Sequence, residues 1–569
     1  MALAKLRTRR RKCIVGETQQ KWAEGNGGIM DLHFANAWER VTDIVPEHPA
    51  IVQGERRYSY QTFDDLSSRF ASALEAAGVS EGCAVGLYLY NSPEYLIAQA
   101  GSFKHRVVPI NVNFRYLDDE LAYLIDNADA EVVVFHSSLG ERVANVRERL
   151  PKVKLLVEVN DGGEHVEGAV TFDELMSTYE AQARRERPGS DIYMLYTGGT
   201  TGMPKGVMFH QADLIMGFYS AFATFGLAAR MPTSIEDIES LVLELHAGEP
   251  VVTIACCPLM HGTAMWLSSM RALLSGGTAV LLSERTFNPH EVWQLCERER
   301  ANEIVIVGDA FARPLLRALE EREASGHPYD TSSVRRIISS GAIWSAEIKD
   351  GLRSRISSVQ LIDALGSTEA GSIGVSVATS EFGAPTAKFI FTPTTKVINL
   401  DGAEIVPGSG EQGVLVTQNS AFGYYKDPVK TKATFIQIDG NSYVFTGDWA
   451  SVEADGTITL LGRGSMCINT AGEKVYAEEV EEAIKRHPGI DDCLVVGLPD
   501  EKYGQRVVAV ASLSAPGATT GDEIREWLRT SLSHYKIPRT ITLVDSVRRA
   551  PNGKADYKWA KEAAASSEG

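Results

Sequence analysis

The segment at residues 195–207, LYTGGTTGMPKGV, carries residue types that can hold a phosphate group. Glycines allow backbone N–H groups to converge on an anion, and hydroxyls and a lysine add further donors. The spacing is not that of the common GxxxxGK phosphate loop, because Lys205 follows Pro204 and precedes Gly206. A plain glycine-rich hairpin is the alternative, but the density of hydroxyls favours an anion site. The candidate residues are Thr197, Gly198, Gly199, Thr200, Thr201, Gly202 and Lys205.

Four later segments carry further polar residues. The segments ALGSTEAG, YVFTGDWA, LLGRGSMCINTAGEKVYAEEVEEAI and RRAPNGKADY contain Gly366, Ser367, Thr368, Glu369, Asp448, Arg463, Gly472, Lys474 and Lys554. Each segment alone is typical of a turn or an exposed loop. Together with the glycine loop, in this order and at these distances, they resemble the adenylate-forming (ANL) enzymes. That superfamily includes acyl-CoA ligases, peptide-synthetase adenylation domains and luciferases, and the resemblance covers residues 30 to about 561.

The resemblance implies a reaction in two halves that uses ATP, Mg²⁺ and CoA. A carboxylate attacks the α-phosphate of ATP to give an acyl-adenylate and pyrophosphate, and a thiol, usually that of CoA, then displaces AMP. Attack at phosphorus builds negative charge that cations must neutralise. By resemblance, Lys554 bridges the substrate carboxylate and the α-phosphate. Glu369, joined by Thr197, is the expected Mg²⁺ ligand, since this ion prefers hard oxygen donors.

The resemblance also assigns the remaining nucleotide and CoA contacts. Asp448 is expected to accept hydrogen bonds from the ribose hydroxyls, and Arg463 to donate to the same region. The other expected ATP-binding residues are Gly341, Ala342, Gly366, Ser367 and Thr368, together with the glycine loop. Gly472 and Lys474 are expected along the path of CoA.

Four positions depart from the usual family pattern, one of which is Ala477 in place of a proline. Gly198 replaces a serine, which removes one phosphate donor, and Leu365 replaces a tyrosine that stacks on adenine. Met466 stands where an aspartate usually forms the hinge between domains, so no hinge residue is assigned. Because Lys554, Glu369, Asp448 and Arg463 are all present, activity is still expected.

A finer resemblance concerns the acid. Segments such as VGDAFARPLLRAL, SSGAIWSAEIKDGL and GRGSMCINTAGEKVYAEEVE look like actinobacterial ligases that activate sterol side-chain carboxylates, and like their fatty-acyl relatives. His261 matches a family position near the carboxylate. Met260, Met265, Trp266 and Trp344 are candidates for the wall of a wide acyl pocket, with ordinary core packing as the alternative.

Three function classes therefore compete. The first is an acyl-CoA ligase for a steroid side-chain acid or a medium- or long-chain fatty acid. The second is an acyl-AMP ligase that loads a carrier protein, and the third is a non-catalytic binding module. Gly472, which would let a pantetheine arm pass, favours free CoA. The presence of Lys554 and Glu369 argues against a non-catalytic member.

Composition excludes several classes of partner. The 569 residues carry 56 basic and 74 acidic side chains, a net charge of −18, which argues against a protein that coats nucleic acid. No run is apolar enough for a membrane span. The seven cysteines show no metal-ligand spacing and indicate reduced thiols in a cytoplasmic protein. The oligomeric state is not predicted.

The pattern of elements predicts an α/β protein with two domains. Apolar strands alternate with helices up to about residue 340, which is typical of mostly parallel sheets. Shorter, turn-rich runs at residues 395–461 predict a small antiparallel subdomain. We expect an adenylation domain at 30–463 and a small, mobile α+β domain at 464–569. Residues 1–29 are expected to be a disordered extension.

Overall fold

A computed structural model describes most of the chain. The described residues are 31–198, 203–224, 231–341, 344, 346–378, 388–399, 402–418, 421–463, 467–470, 473–548 and 557–566. Their strands form four sheets. The extension expected at residues 1–29 lies outside the described residues.

The first sheet is parallel, has five strands and has the order β4-β3-β5-β6-β7. Its strands are β3 (Ala84–Tyr88), β4 (Val108–Asn111), β5 (Ala130–His136), β6 (Leu155–Val159) and β7 (Val170–Thr171). Helices α1 to α6 accompany it: Phe34–Ile44, Tyr60–Ala76, Pro93–Lys104, Asp118–Asn127, Gly140–Val146 and Phe172–Thr178. All of β3 is buried, as expected for a parallel strand covered on both faces.

The largest sheet joins a parallel half to an antiparallel half. Strands β1 (Pro49–Gln53), β10 (Val252–Ala255), β11 (Thr278–Leu281), β12 (Glu303–Ile306), β13 (Arg336–Ser340) and β14 (Gln360–Ser367) pair in parallel, and β2 (Arg56–Ser59) pairs antiparallel at its edge. The helices of this half are α7 (Gln211–Thr224), α8 (Ile238–Ala247), α9 (Gly262–Ala264), α10 (Arg271–Leu274), α11 (Pro289–Glu299), α12 (Gly308–Ala324) and α13 (Ala346–Arg355). A π-helical segment, Met265–Met270, joins α9 to α10.

The antiparallel half continues from β14. It contains β15 (Gly371–Ala378), β16 (Lys388–Phe391), β17 (Thr395–Ile398), β18 (Gln412–Thr417), β20 (Phe435–Ile438), β21 (Asn441–Val452) and β22 (Ile458–Arg463). The short antiparallel runs predicted from residue 395 onward are therefore present.

The third sheet differs from the sequence-based expectation. The run IYMLYTG was grouped with the parallel strands, but β8 (Ile192–Gly198) pairs antiparallel with β9 (Pro204–His210), and β9 pairs with β19 (Ala421–Tyr424). Only residues 199–203 separate β8 from β9. A parallel crossover needs a dozen or more residues, so this short connection permits only a hairpin.

The fourth sheet lies entirely within residues 467–566, here called the C-terminal body. It has the order β24-β23-β26-β25, and β27 pairs with β26. The elements are β23 (Cys467–Thr470), β24 (Glu473–Tyr476), α15 (Ala477–Lys485), β25 (Ile490–Asp500), β26 (Gly504–Leu513), α16 (Gly521–Leu528), β27 (Thr540–Val544) and α17 (Tyr557–Ser566), and α14 (Pro428–Thr434) precedes the body. Val475, Val480, Ile484 and Leu528 are fully buried in a core of its own.

The sequence predicts no membrane-spanning segment, and the helices can be compared with that prediction. Among the helices that the structure describes, none is both long enough and apolar enough to cross a bilayer.

Candidate active site

A cavity of about 590 Å³ brings several of the described candidate residues together, whereas Lys205, Glu369 and Asp448 are not on its lining. Its lining combines the ends of β8, β13 and β14 with the segment that enters the π-helix. Of the residues singled out from the sequence, the lining contains Thr197, His261, Gly341, Gly366, Ser367 and Thr368. These residues are spread over more than 170 positions of the chain. Gly341, Gly366 and Ser367 lie at the carboxyl ends of the parallel strands β13 and β14, whereas Thr197 comes from β8 of the separate antiparallel sheet.

The base of the glycine loop is held by Asn111 at the end of β4. The Asn111 amide donates to the carbonyls of Tyr196, at 2.8 Å, and Met260, at 2.7 Å. Its Oδ1 accepts the backbone N–H of Tyr196 at 2.7 Å. The Asn111 side chain therefore holds the strand that carries Thr197 against the segment that carries His261. Sequence analysis missed Asn111, because an isolated asparagine after a strand is not distinctive.

Glu369 is anchored by a tyrosine from the neighbouring sheet. Tyr424, on β19, donates its hydroxyl to Glu369 Oε1 at 2.8 Å. Because β19 pairs with β9 and β9 with β8, the same three strands position Tyr424, Lys205 and Thr197. The contact orients the carboxylate that the sequence assigns to a metal.

Lys205 does not line the cavity as expected for a phosphate contact. Its Nζ forms an ion pair with Asp427 Oδ2 at 2.6 Å and lies 6.0 Å from the centre of the Tyr424 ring. Asp427 also caps α14 by accepting the N–H of Lys430. In this arrangement Lys205 supports the hairpin and Tyr424, and its predicted contact with a phosphate stays a prediction.

Asp448 and Arg463 are neighbours across a strand pair. The antiparallel register of β21 and β22 places Asp448 directly opposite Arg463. Gly447 has a φ of +75°, a left-handed conformation that favours glycine, and Thr446 Oγ1 accepts the N–H of Asp448 at 3.1 Å. The TGD sequence thus lies at an irregularity within β21, where the pairing with β18 shifts register, and this backbone sets the position of Asp448.

Glu473 links the C-terminal body to the cavity. This buried carboxylate lies 3.3 Å from His261 Nε2 and 3.1 Å from Arg115 Nη1. Burial raises the pKa of Glu473, but His261, Arg115 and Lys536 outweigh it and hold the pKa below its ordinary value. Sequence analysis missed Glu473, although it stands between the two singled-out residues Gly472 and Lys474.

The aromatic part of the cavity lining is built around Trp266. Its indole N–H donates to the hydroxyl of Tyr193 at 2.9 Å, and its ring packs edge-on against Phe209 and Phe218. Met260 also lines the cavity. A π-helical turn frequently marks a functional site, and here it carries Trp266.

The expectation that Trp344 lines the acyl pocket is wrong. Trp344 is fully buried in the core cluster that also contains Ile348 and Leu352, and the Lys349 ammonium lies 5.4 Å from the centre of its ring. Met265 is likewise a core residue. A large apolar side chain next to a motif can line a pocket or pack in the core, and the sequence does not distinguish the two. Trp344 and Met265 pack in the core.

Several predicted residues lie outside the description. Gly199, Thr200, Thr201, Gly202, Ala342, Met466, Gly472 and Lys554 are not among the described residues. The strands include Gly198, Arg463 and Lys474, but their side-chain environments are not described. The roles of these residues stay predictions.

Two family models match the chain. The model of the AMP-binding enzyme matches residues 38–425, and that of the AMP-binding enzyme C-terminal domain matches residues 479–554. The chain belongs to the AMP-binding enzymes. Within that family it is an AMP-forming acyl-CoA ligase, as its curated relatives indicate. The superfamily resemblance seen in the sequence is confirmed.

Three relatives illustrate where the ligase lies in the family. It is 40% identical to a 3-oxocholest-4-en-26-oate–CoA ligase of Rhodococcus rhodochrous, over 94% of this chain and 96% of that protein. It is 39% identical to a medium/long-chain-fatty-acid–CoA/3-oxocholest-4-en-26-oate–CoA ligase of Mycolicibacterium smegmatis, with the same coverage. It is 36% identical to a medium-chain acyl-CoA ligase of Mycobacterium avium, over 92% of this chain and 96% of that protein.

Solved structures show the same fold at lower identity. The amide bond synthetase McbA from Marinactinospora thermotolerans has a TM-score of 0.72 and 22% identity, and covers 92% of the ligase and 99% of that chain. The anthranilate CoA ligase AuaEII has a TM-score of 0.65 and 20% identity, and covers 95% and 98%. The expected architecture, a large N-terminal part with a small C-terminal domain, agrees with these neighbours.

Proposed function

We propose that this ligase activates a bulky, mostly apolar carboxylic acid, with a steroid side-chain acid ahead of medium- or long-chain fatty acids. The observation that carries the proposal is the cavity itself. Its lining combines Thr197, Gly366 and Thr368 with the aromatic side chains of Phe209, Phe218 and Trp266. A volume of about 590 Å³ is in the usual range for a site that encloses a molecule of drug size. The relatives named for 3-oxocholest-4-en-26-oate support the steroid preference.

The first half-reaction joins the acid to AMP. The substrate carboxylate attacks the α-phosphorus of ATP, the bond to the bridging oxygen breaks, and pyrophosphate leaves with the electron pair. We assign Lys554 to the carboxylate and the α-phosphate, and Asp448 with Arg463 to the ribose. Preorganised donors of this kind lower the barrier because they meet charge that develops only in the transition state.

The predicted metal ligands have the chemistry that suits a magnesium ion. The Glu369 carboxylate and the Thr197 hydroxyl are hard oxygen donors, and Tyr424 already orients Glu369. When bound, Mg²⁺ would neutralise charge on the phosphates. We assign Glu369 as its protein ligand, with Thr197 beside it.

A second groove supports CoA over a carrier protein as the thiol donor. This groove, of about 780 Å³, is lined by Arg115, Arg525, Arg529, Arg539 and His534, with Tyr503 beside them. Asp522 and Glu526 offset part of that charge, and the remaining cations suit the phosphates of a nucleotide. Arg115 also contacts Glu473 on the cavity lining, and Tyr535 lines both spaces, so the groove lies next to the cavity.

The second half-reaction completes the cycle. The CoA thiolate attacks the acyl carbon of the acyl-adenylate, and AMP leaves as the carbon–oxygen bond breaks. We assign Gly472 and Lys474 to the path along which the pantetheine arm reaches that carbon. Residues 464–569 are proposed to form the domain that moves between the two half-reactions. The cytoplasmic location expected from the cysteines stays a prediction.

A product analysis tests this proposal. The ligase is incubated with ATP, MgCl₂ and 3-oxocholest-4-en-26-oate, with either CoA or a phosphopantetheinylated carrier protein. We expect AMP, pyrophosphate and the acyl-CoA thioester in equal amounts with CoA, and little transfer to the carrier. Rapid loading of the carrier with no acyl-CoA would make the acyl-AMP ligase the better description.

A further inference from the structure

A buried ion pair joins the C-terminal body to the rest of the ligase. Lys536, in the single 3₁₀ turn His534–Lys536, places its Nζ 2.6 Å from Glu120 Oε1 on α4. Both side chains are almost completely buried, with 5% and 7% of their surface exposed. Ser533 Oγ lies 2.8 Å from Glu120 Oε2 and also 2.8 Å from the carbonyl of Arg115, so its proton serves one of the two. We call Glu120, Ser533 and Lys536 the interdomain latch.

The surroundings of the latch satisfy its charges. Glu120 Oε2 also accepts the N–H of Leu117, which caps the start of α4. The Lys536 ammonium lies 5.5 Å from the centre of the Tyr116 ring and 5.8 Å from that of Tyr535. A buried ion pair with further hydrogen bonds and aromatic faces is the type in which loss of one partner is strongly destabilising, because it strands the other charge.

The latch stabilises the protein only while the C-terminal body is in contact with the rest of the ligase. If the C-terminal body rotates away, Glu120 and Lys536 separate and become accessible to water, so neither remains as an unpaired buried charge. A substitution that removes the ammonium therefore penalises the present arrangement and not a rotated one. The latch biases the equilibrium between domain arrangements.

The present arrangement has a recognisable role. It places Glu473, which lies between the two residues assigned to the CoA path, on the lining of the cavity. We propose that Glu120 and Lys536 are positioning residues that hold the C-terminal body in the arrangement that forms the thioester, and that they favour the second half-reaction over the first. This inference rests on the proposed two-step function.

The test compares the half-reactions in Lys536→Met and in a matched control. Lys485→Met removes a lysine that pairs with Asp492 inside the same body, away from the latch. Single-turnover formation of acyl-AMP from 3-oxocholest-4-en-26-oate measures the first half, and transfer from acyl-AMP to CoA measures the second. In Lys536→Met the transfer rate is expected to fall relative to the adenylation rate by at least about tenfold, which is about 1.4 kcal/mol. The ratio in Lys485→Met is expected to stay at the wild-type value.

A double-mutant cycle separates the latch from general loss of structure. Glu120→Gln alone is expected to lower the same ratio, and Glu120→Gln with Lys536→Met is expected to cost no more than Lys536→Met alone, because the pair acts as a unit. Lys536→Gln keeps a hydrogen-bond donor, so it is expected to lower the ratio of transfer rate to adenylation rate by a smaller factor. It replaces Lys536→Met in the test if the methionine variant does not fold.

Two results would overturn the inference. Equal losses in both half-reactions would assign Lys536 a general structural role, and a ratio equal to that of Lys485→Met would leave the latch without effect. The wild-type enzyme distinguishes these failures from failure of the proposed function. If wild type forms acyl-AMP but transfers nothing to CoA, the function assigned to the second half is wrong.

Discussion

Glu369 and Tyr424 show how single side chains prepare the site. A carboxylate that binds a metal must be held in one orientation, and the Tyr424 hydroxyl provides this at Oε1. Lys205, on the adjacent strand β9, lies beside the ring of the same tyrosine and pairs with Asp427. The glycine hairpin therefore contributes to the geometry around Glu369 as well as to the expected anion site.

Replacement of Glu369 tests the metal assignment. Glu369→Gln keeps the shape of the side chain and removes its charge, so we expect adenylation to slow by roughly 10²-fold or more and to need more Mg²⁺. Tyr424→Phe, which removes the hydrogen bond to Glu369 but keeps the carboxylate charge, is expected to cost much less. Adenylation rates measured across a Mg²⁺ titration check both variants, and an unchanged Mg²⁺ dependence in Glu369→Gln would exclude Glu369 as the ligand.

Lys554 provides a second test at this scale. We expect Lys554→Ala to reduce adenylation by roughly 10²–10³-fold, the cost of one preorganised transition-state donor, and to affect thioester formation less. Pyrophosphate exchange reports the first half alone, and CoA transfer from supplied acyl-AMP reports the second. Equal losses in both assays would contradict the assignment.

The sequence could indicate motif residues that line one cavity, such as Thr197 and Gly366, whose roles there stay predictions. It could not indicate contacts that depend on tertiary packing. His261 and Glu473 are 212 positions apart, so their contact depends on how the two parts pack. The predicted pocket position of Trp344 was wrong because the sequence around it does not show that its side chain is buried in the core.

At the level of elements, strand and helix positions followed from hydrophobic pattern, whereas pairing direction depended on connection length. The β8–β9 hairpin was missed because β8 looks like any buried strand until the five-residue connection is considered. The π-helical turn at Met265–Met270 was also missed, since one extra residue in a helical turn leaves no distinct pattern. Both features carry cavity residues, so the local irregularities coincide with the site.

His136, the last residue of β5, gives a prediction about stability. Burial lowers its pKa to about 4, and its Nδ1 accepts the N–H of Tyr90 at 3.1 Å, so the folded protein holds the neutral ring. Between about pH 6.5 and pH 4 the unfolded chain binds the extra proton and the folded protein does not. Stability contributed by the neutral ring is therefore lost as the pH falls through this window.

His136→Asn should remove that dependence, because asparagine keeps an acceptor for Tyr90 and does not titrate. From pH 7 to pH 5 we expect wild type to lose up to roughly 2 kcal/mol more stability than His136→Asn. Chemical denaturation at both pH values measures the difference. His327→Asn, at an exposed histidine, is the control, and the same pH response in all three proteins would show that His136 has no such role.

For the whole molecule, the central question is how the C-terminal body meets the cavity. Its own sheet and core agree with a separate unit, and the two family models match either side of residues 426–478. The expected boundary near residue 463 stays a prediction. Sequence alone did not reveal the packing of the two parts, because pairs such as Glu120 and Lys536 are 416 positions apart and belong to no common motif.

Gly472 tests the route of CoA at this scale. A tryptophan at position 472 is expected to block the pantetheine arm, so Gly472→Trp should leave adenylation largely intact while thioester formation falls by roughly tenfold or more. Ala515→Trp, at an exposed position of the same body, controls for the added bulk. Unchanged CoA transfer in Gly472→Trp would rule out this route.

The choice of acid is tested most directly by kcat/KM for four acids on one enzyme preparation: a cholestenoic-type acid, a bile-acid-type acid, octanoate and palmitate. Each buried CH₂ contributes about 0.8 kcal/mol, so apolar contacts with the cavity can separate these acids by several decades. The proposal predicts the highest kcat/KM for the steroid side-chain acid. If both straight-chain acids exceed both steroid acids by more than about tenfold, or about 1.4 kcal/mol, the steroid preference is contradicted and the ligase is a fatty-acyl enzyme.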